Sequence, residues 1–320
     1  MRRLVIGFEN LANKWIGQKK RTEVKPKTTQ SYKNFMSKAI SIWGQPNIKT
    51  IGTAEVEDFL FADHRTPKGE RILDKTRHNM KSCLHQFFVW VNRREKAFEM
   101  PELPEIEFEH GWRRIVSIEI QQTIINEVKR ISREVDPKIW LGIKLLATYI
   151  KIRPGEMRSV RERDINLESG FIHIPHPKKG SKKQGNLPIL TLKTSNLLKS
   201  YPRSINPDLY FFRHSSGRSG VKAGEQFGSK YFKKWWDKAC KNLGIEGFDL
   251  YGGTKHSTAT ALSQLLTPEQ IKQGGTGSAT NKAFERYFYP RRTESLKVTS
   301  AIKQLRNKNK GDILEFVNKK

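Results

Sequence analysis

Two prolines and five glutamates crowd residues 99–110, EMPELPEIEFEH, and no regular helix runs through such a stretch. A chain of 320 residues interrupted there must bury two cores rather than one. We read a first domain over residues 1–105, an exposed linker over 106–116 and a second domain over 117–320. The interruption also divides the charge. Up to His110 there are 20 Lys or Arg against 14 Asp or Glu; beyond it there are 40 against 18. The formal net charge is +28, and most of it falls in the second part. The expected partner is therefore a polyanion, with nucleic acid ahead of an anionic membrane surface or an acidic protein. Aromatic residues make up 10% of the chain, which is too many for a disordered basic tail. Cys83 and Cys240 are too few and too far apart for a disulfide scaffold or a cysteine-based zinc module. No apolar run reaches the ~20 residues a membrane span needs. The opening MRRLVIGFEN has only a short apolar run and no small-residue cleavage site, so no signal peptide is expected.

The first domain reads as a bundle of about four helices. Phe8, Leu11, Ala12, Trp15 and Ile16 share one helical face. Thr29 precedes a second periodic run, Ser31 to Trp43, which Gly44 can stop. Thr53 introduces a third helix over residues 54–61. A fourth, Asp74 to Val91, places Met80, Leu84, Phe87, Phe88 and Val91 on one side, with Arg77 and Lys81 as candidate DNA contacts. His78 and His85 share that helix without a third ligand nearby, so no metal site is expected. In the second domain, Ser117 caps a helix to Val135, and Asp136-Pro137 opens another to Ile150. Residues 170–174 and 187–190 read as strands flanking PKKGSKKQG, which makes a basic β-hairpin. Further helices are expected at about 223–242, 256–266, 280–288 and 297–318, with Trp235 and Trp236 in the core. The fold class is mainly α with a small antiparallel sheet.

Four stretches then stop being generic. LLATYIKIRPGEMRSVRERDIN, from Leu145, resembles the first catalytic box of the tyrosine recombinases, the family of phage integrases. KGSKKQGNLPI, from Lys179, resembles that family's strand pair bearing a catalytic lysine. LYGGTKHSTATAL, from Leu250, resembles its His-x-x-Arg-His-x-x-Ala-Thr box. TGSATNKAFERYF, from Thr276, resembles the box that ends in the nucleophilic tyrosine. The resemblance runs over most of the chain, because the first-domain bundle also resembles the family's core-binding domain.

The resemblance implies a helical core-binding domain and a mixed α+β catalytic domain that close on duplex DNA as a C-shaped clamp. It implies Arg153 as a catalytic arginine, Glu156 as its structural partner, Lys179 as the catalytic lysine and Tyr287 as the nucleophile. Lys178 or Lys182 can take the lysine register instead, and Tyr289 is the rival to Tyr287. Lys178, Lys182 and Lys183 are expected to contact DNA. The implied activity is site-specific integration or excision of a mobile element through a 3′-phosphotyrosine. The implied partners are double-stranded DNA with an inverted-repeat core site and three further copies of the chain. No cofactor, no metal and no membrane are expected, and the expected location is the cytoplasm, at the nucleoid. In the tail, Leu305, Ile313, Leu314 and Phe316 would dock on a neighbouring subunit, although a lysine-rich tail is also read as a solvated helix.

These residue types suit the chemistry. Breaking a phosphodiester while keeping its bond energy needs a covalent nucleophile, here a tyrosine. Charge growing on the non-bridging oxygens needs cations, and a guanidinium grips two oxygens at once. The leaving 5′ oxygen needs an acid, which a lysine on a hairpin can supply. Three positions depart from the family pattern. Lys255 stands at the second arginine, Gly252 at the histidine three residues before it, and Ser278 at the position usually His or Trp. Lys255 keeps the charge and loses the fork. Tyr251 or His256 can stand in for the missing histidine. Read alone, Lys255 is equally an ordinary surface lysine, His256 a packed histidine and Ser278 a helix cap. The alternatives are a catalytically impaired accessory protein on the same fold and a general basic nucleic-acid binder.

Overall fold

The computed structural model describes residues 7–276 except 23, 45, 96–97, 110, 112, 175–190 and 218–219, together with residue 300. The chain divides into two compact units, Met1–Gly111 and Trp112–Lys320. Among the described residues the regular structure is helical apart from one two-stranded antiparallel sheet and a few isolated bridges. No described helix is long and apolar enough to cross a membrane.

The first unit is a bundle of α1 (Phe8–Arg21), α2 (Pro26–Trp43), α3 (Thr53–Phe61) and α4 (Asp74–Asn92). The apolar face read from α1 is buried in full. α2 starts earlier than its periodicity suggests. Pro26 at the first helical position presets φ and needs no donor there, so Thr29 lies inside the helix instead of capping it. Glu55 rather than Thr53 closes the start of α3, accepting the Gly52 N–H at 2.8 Å. Phe8 joins the bundle, with ring centroids 5.0 Å from Trp43 and 5.3 Å from Phe87, edge to face. Residues 99–109 are not a solvated tether. Pro101 and Ile106 are buried while Glu102, Glu105, Glu107 and Glu109 face out, and Phe98 is buried just before them. Extended backbone alternates its side chains, so a helix-breaking segment can still cover a core.

The second unit is built on α5 (Ile118–Ser132), α6 (Pro137–Thr148) and α9 (Tyr231–Asn242). Ser117 caps α5 through the Ile120 N–H, and Asp136 caps α6 through the Lys138 N–H at 2.9 Å. α6 is buried on nearly every side. A Cβ on Gly142 would lie 2.4 Å from the Phe232 ring, so only glycine lets α9 approach this closely. α7 (Pro154–Arg158) follows. Then β1 (Ile165–Asn166) pairs with β2 (Phe171–Ile172) through a turn in which Gly170 takes φ +65°. The expected strand near 170–174 thus pairs upstream with β1. Its expected partner at 187–190 and the lysine turn lie outside the described residues, as do the helices expected at 280–288 and, save residue 300, 297–318. α8 (Leu192–Lys199) is an addition to the sequence reading, and α9 is shorter than the helix expected over 223–242.

Glu162 locks the far side of this unit. It is 1% exposed and accepts from Arg203 Nε at 2.7 Å and Arg213 Nη1 at 2.6 Å. Burial pushes its pKa up, and the bonds from Arg213 and Arg203 more than offset that, holding it below its ordinary 4.5. A carboxylate with a depressed folded pKa lends stability that is fully present above pH 4.5 and lost as pH falls through its folded value. Replacing Glu162 by Gln leaves two guanidiniums without their anion and should cost about 3 kcal/mol at neutral pH. Urea unfolding across pH should show this gap between wild type and Glu162→Gln closing below pH 4.5.

Candidate active site

Arg153 sits on the turn between α6 and α7 in an extended conformation, φ −100° and ψ 154°, because Pro154 follows it. Its N–H donates to Glu156 Oε2 at 2.8 Å and its Nη1 to Oε1 at 3.1 Å. Glu156 is 7% exposed while the Arg153 side chain is 29% exposed. The carboxylate therefore caps the helix and holds the guanidinium, while the Arg153 side chain stays partly exposed.

The second box forms a π-helical turn, Gly252–His256, that runs into α10 (Ser257–Leu262). Such turns widen the backbone and leave carbonyls outside the α ladder. Gln121 on α5 collects them. Its Nε2 donates to the Gly253 carbonyl at 2.7 Å and the Thr254 carbonyl at 3.2 Å. Thr258 Oγ1 donates to the Ala147 carbonyl at 3.0 Å, which ties the start of α10 to the last turn of α6. Ser257 Oγ donates to the Gly252 carbonyl and accepts the Val116 N–H at 2.9 Å. The turn bearing Lys255 and the helix leading to Arg153 are thus held by one buried polar network.

Lys255 is 2% exposed, which excludes the surface-lysine reading. Its Nζ stands 5.9 Å from the centroid of the Tyr251 ring. His256 is buried and meets the same ring at 5.6 Å, tilted by 61°, as a packed histidine does. Tyr251 is half-buried, and the Arg113 guanidinium lies 5.3 Å from its centroid. Tyr251 and His256, the two candidates to replace a side chain at 252, are both in this cluster.

Gly252 is where the structure is most informative. A Cβ there would lie 2.4 Å from the Arg114 carbonyl oxygen and 3.2 Å from Asp249 Oδ1. Main chain fills the space that a histidine would need. Gly253 is closed from the other side, since its Cβ would fall 2.1 Å from Trp236 Cζ2. Gly252 therefore contributes an N–H and no side chain; the N–H donates to Asp249 Oδ1 at 2.6 Å. Asp249 Oδ2 accepts from Arg113 Nη1. Sequence reasoning missed Asp249, Arg113 and Gln121. Gln121 was findable, because it falls on the apolar face of Ile124, Ile125 and Val128, where a lone amide signals a buried partner. Asp249 and Arg113 carry no local signal, since they meet across 136 residues.

In the first unit Arg77 is committed internally. Its Nε donates to the Leu60 carbonyl at 2.7 Å and its Nη1 to Asp74 at 2.5 Å, and its side chain is 18% exposed. Here it clamps the end of α3 to α4. Lys81 is half-buried on the same helix. The His78 ring meets Phe108 at 4.8 Å, tilted by 55°. Lys178, Lys179, Lys182, Lys183, Ser278, Tyr287 and Tyr289 lie outside the described residues.

The sequence matches no protein-family model and no curated protein. Solved structures do match. A lambda integrase dimer bound to a COC′ core site superposes with TM-score 0.63 at 13% identity, over 88% of this chain and 77% of that one. The Tn1549 transposon integrase in complex with transposon right-end DNA gives TM-score 0.66 at 14% identity, over 94% and 100%. A lambda integrase tetramer bound to a Holliday junction gives 0.59 at 13%, over 86% and 78%. The chain has the tyrosine-recombinase fold. Gly252 has no room for a side chain, because a Cβ there would meet the Arg114 carbonyl. Gly252→Ala should lower stability by about 1–3 kcal/mol through overpacking, and Gly252→His by more. Thermal unfolding of both variants checks this; a Gly252→His protein as stable as wild type would contradict the close approach of Arg114.

Proposed function

We propose that this chain is a site-specific DNA recombinase that cuts and rejoins strands through Tyr287. The observation that carries the reading is the pairing of this fold with a buried cation, Lys255, on a turn braced to the helix that presents Arg153. The net charge of +28 gives the fold its attraction to DNA. In the proposed step the Tyr287 phenol releases its proton to solvent and its oxygen attacks the scissile phosphorus. The P–O5′ bond breaks, Lys179 gives a proton to the leaving oxygen, and a 3′-phosphotyrosine and a free 5′-hydroxyl result. Arg153 and Lys255 neutralise the charge that grows on the non-bridging oxygens. The 5′-hydroxyl of a partner strand then reverses the step at the tyrosyl phosphate. Lys178, Lys182 and Lys183 follow the DNA backbone beside Lys179, and Lys81 adds a contact from the first unit. Duplex DNA with an inverted-repeat core site, bound by four copies, is the working complex. A lambda integrase tetramer on a Holliday junction supports that assembly by similarity of fold. The process served is integration or excision of a mobile element, in the cytoplasm at the nucleoid.

One observation favours a second reading. Main chain occupies the space that a side chain at Gly252 would need, which suits an accessory protein that grips DNA without cutting it. Covalent trapping separates the two. A nicked duplex from the DNA flanking the gene should give a denaturant-resistant protein–DNA band that disappears in Tyr287→Phe. A sharp footprint on the same duplex without any band would establish the accessory reading.

A further inference from the structure

We infer that Arg113 contacts the scissile phosphate and supplies the donor that Gly252 cannot. This rests on the recombinase reading above. The residue lies far in sequence from every motif, yet the fold brings it to the Lys255 turn.

Three observations place it there. First, the main chain that fills the side-chain space at Gly252 is that of Arg114, so the segment displacing the histidine carries a guanidinium one residue earlier. Second, Asp249 binds both parts at once. One carboxylate oxygen takes the Gly252 N–H and the other takes Arg113 Nη1, so the guanidinium is fixed relative to the turn. Third, Arg113 and Lys255 approach the same Tyr251 ring, at 5.3 and 5.9 Å from its centroid. Both cations therefore lie near one half-buried aromatic. The Arg113 side chain is 48% exposed, whereas Lys255 is buried.

The chemistry fits the gap. A lysine at 255 is a point charge and cannot fork onto two oxygens. A guanidinium has five N–H donors, and the bond to Asp249 engages its Nη1 end. Nε and Nη2 lie outside that bond and suit a phosphate oxygen. An isolated surface ion pair of this exposure contributes little stability, ~0–1 kcal/mol. Fixing a donor where charge develops is the use to which such a pair is better suited.

The test measures covalent-complex formation on the nicked duplex, with two versions of the scissile position. One carries the ordinary phosphodiester and the other a methylphosphonate, which has lost one non-bridging charge. On the phosphodiester, Arg113→Ala should slow cleavage by ~10²–10³-fold, with Arg113→Lys between it and wild type. On the methylphosphonate, the gap between Arg113→Ala and wild type should shrink, because less charge remains to neutralise. A purely structural role would leave the gap equal on both. If Arg113→Ala does not fold, Arg113→Gln, which is shorter and uncharged but keeps two N–H donors, carries the same comparison. Arg113→Ala cleaving like wild type, or an equal gap on both substrates, overturns the assignment alone. Absence of a Tyr287-dependent band in wild type overturns the recombinase reading and this assignment with it.

Discussion

One side-chain amide holds the candidate site in shape. A π-helical turn releases carbonyls that the α ladder would have used, and buried carbonyls without donors cost free energy. Gln121 answers that cost, donating to Gly253 and Thr254 from inside the apolar face of α5. Because α5 also packs against α6 and α9, the turn is referenced to the core rather than to a loop. Thr258 repeats the device by reaching the Ala147 carbonyl in α6. These bonds fix the backbone that carries the buried Lys255.

The parts of the fold that repeat are those the sequence announces. α1, α4, α5 and α6 carry apolar spacing over several turns, and the caps Ser117 and Asp136 stand where the side-chain chemistry puts them. The parts that were not legible are short or non-local. β1 has two residues, too few for an alternation to register, whereas β2 falls inside the strand expected at 170–174. α7 and α8 are single or double turns set by Pro154 and Thr191 rather than by a stripe. Pro26 begins α2 ahead of its apolar repeat, so periodicity alone places the start too late. The Pro/Glu stretch breaks helices by composition, while the burial of Pro101 and Ile106 depends on tertiary contacts that composition does not encode.

The candidate site divides in the same way. Arg153, Glu156 and Lys255 are recognisable from their motifs, and the clamp of Glu156 on Arg153 is what a carboxylate three residues into a helix does. Gly252 stood out as a departure, but the reason for it is tertiary. Nothing near position 252 in sequence reveals that the Arg114 carbonyl lies against it. The Asp249–Arg113 pair is invisible for the same cause. Long-range contacts that replace a motif residue leave no pattern in the motif itself.

The paired glycines tie the sequence of the turn to two distant segments. Gly252 and Gly253 fit a slot between the Arg114 main chain and the Trp236 ring, which is wide enough for backbone alone. A larger residue at 252 needs a matching shift of residues 113–116, and one at 253 needs a smaller residue at 236, so changes at these positions are non-additive.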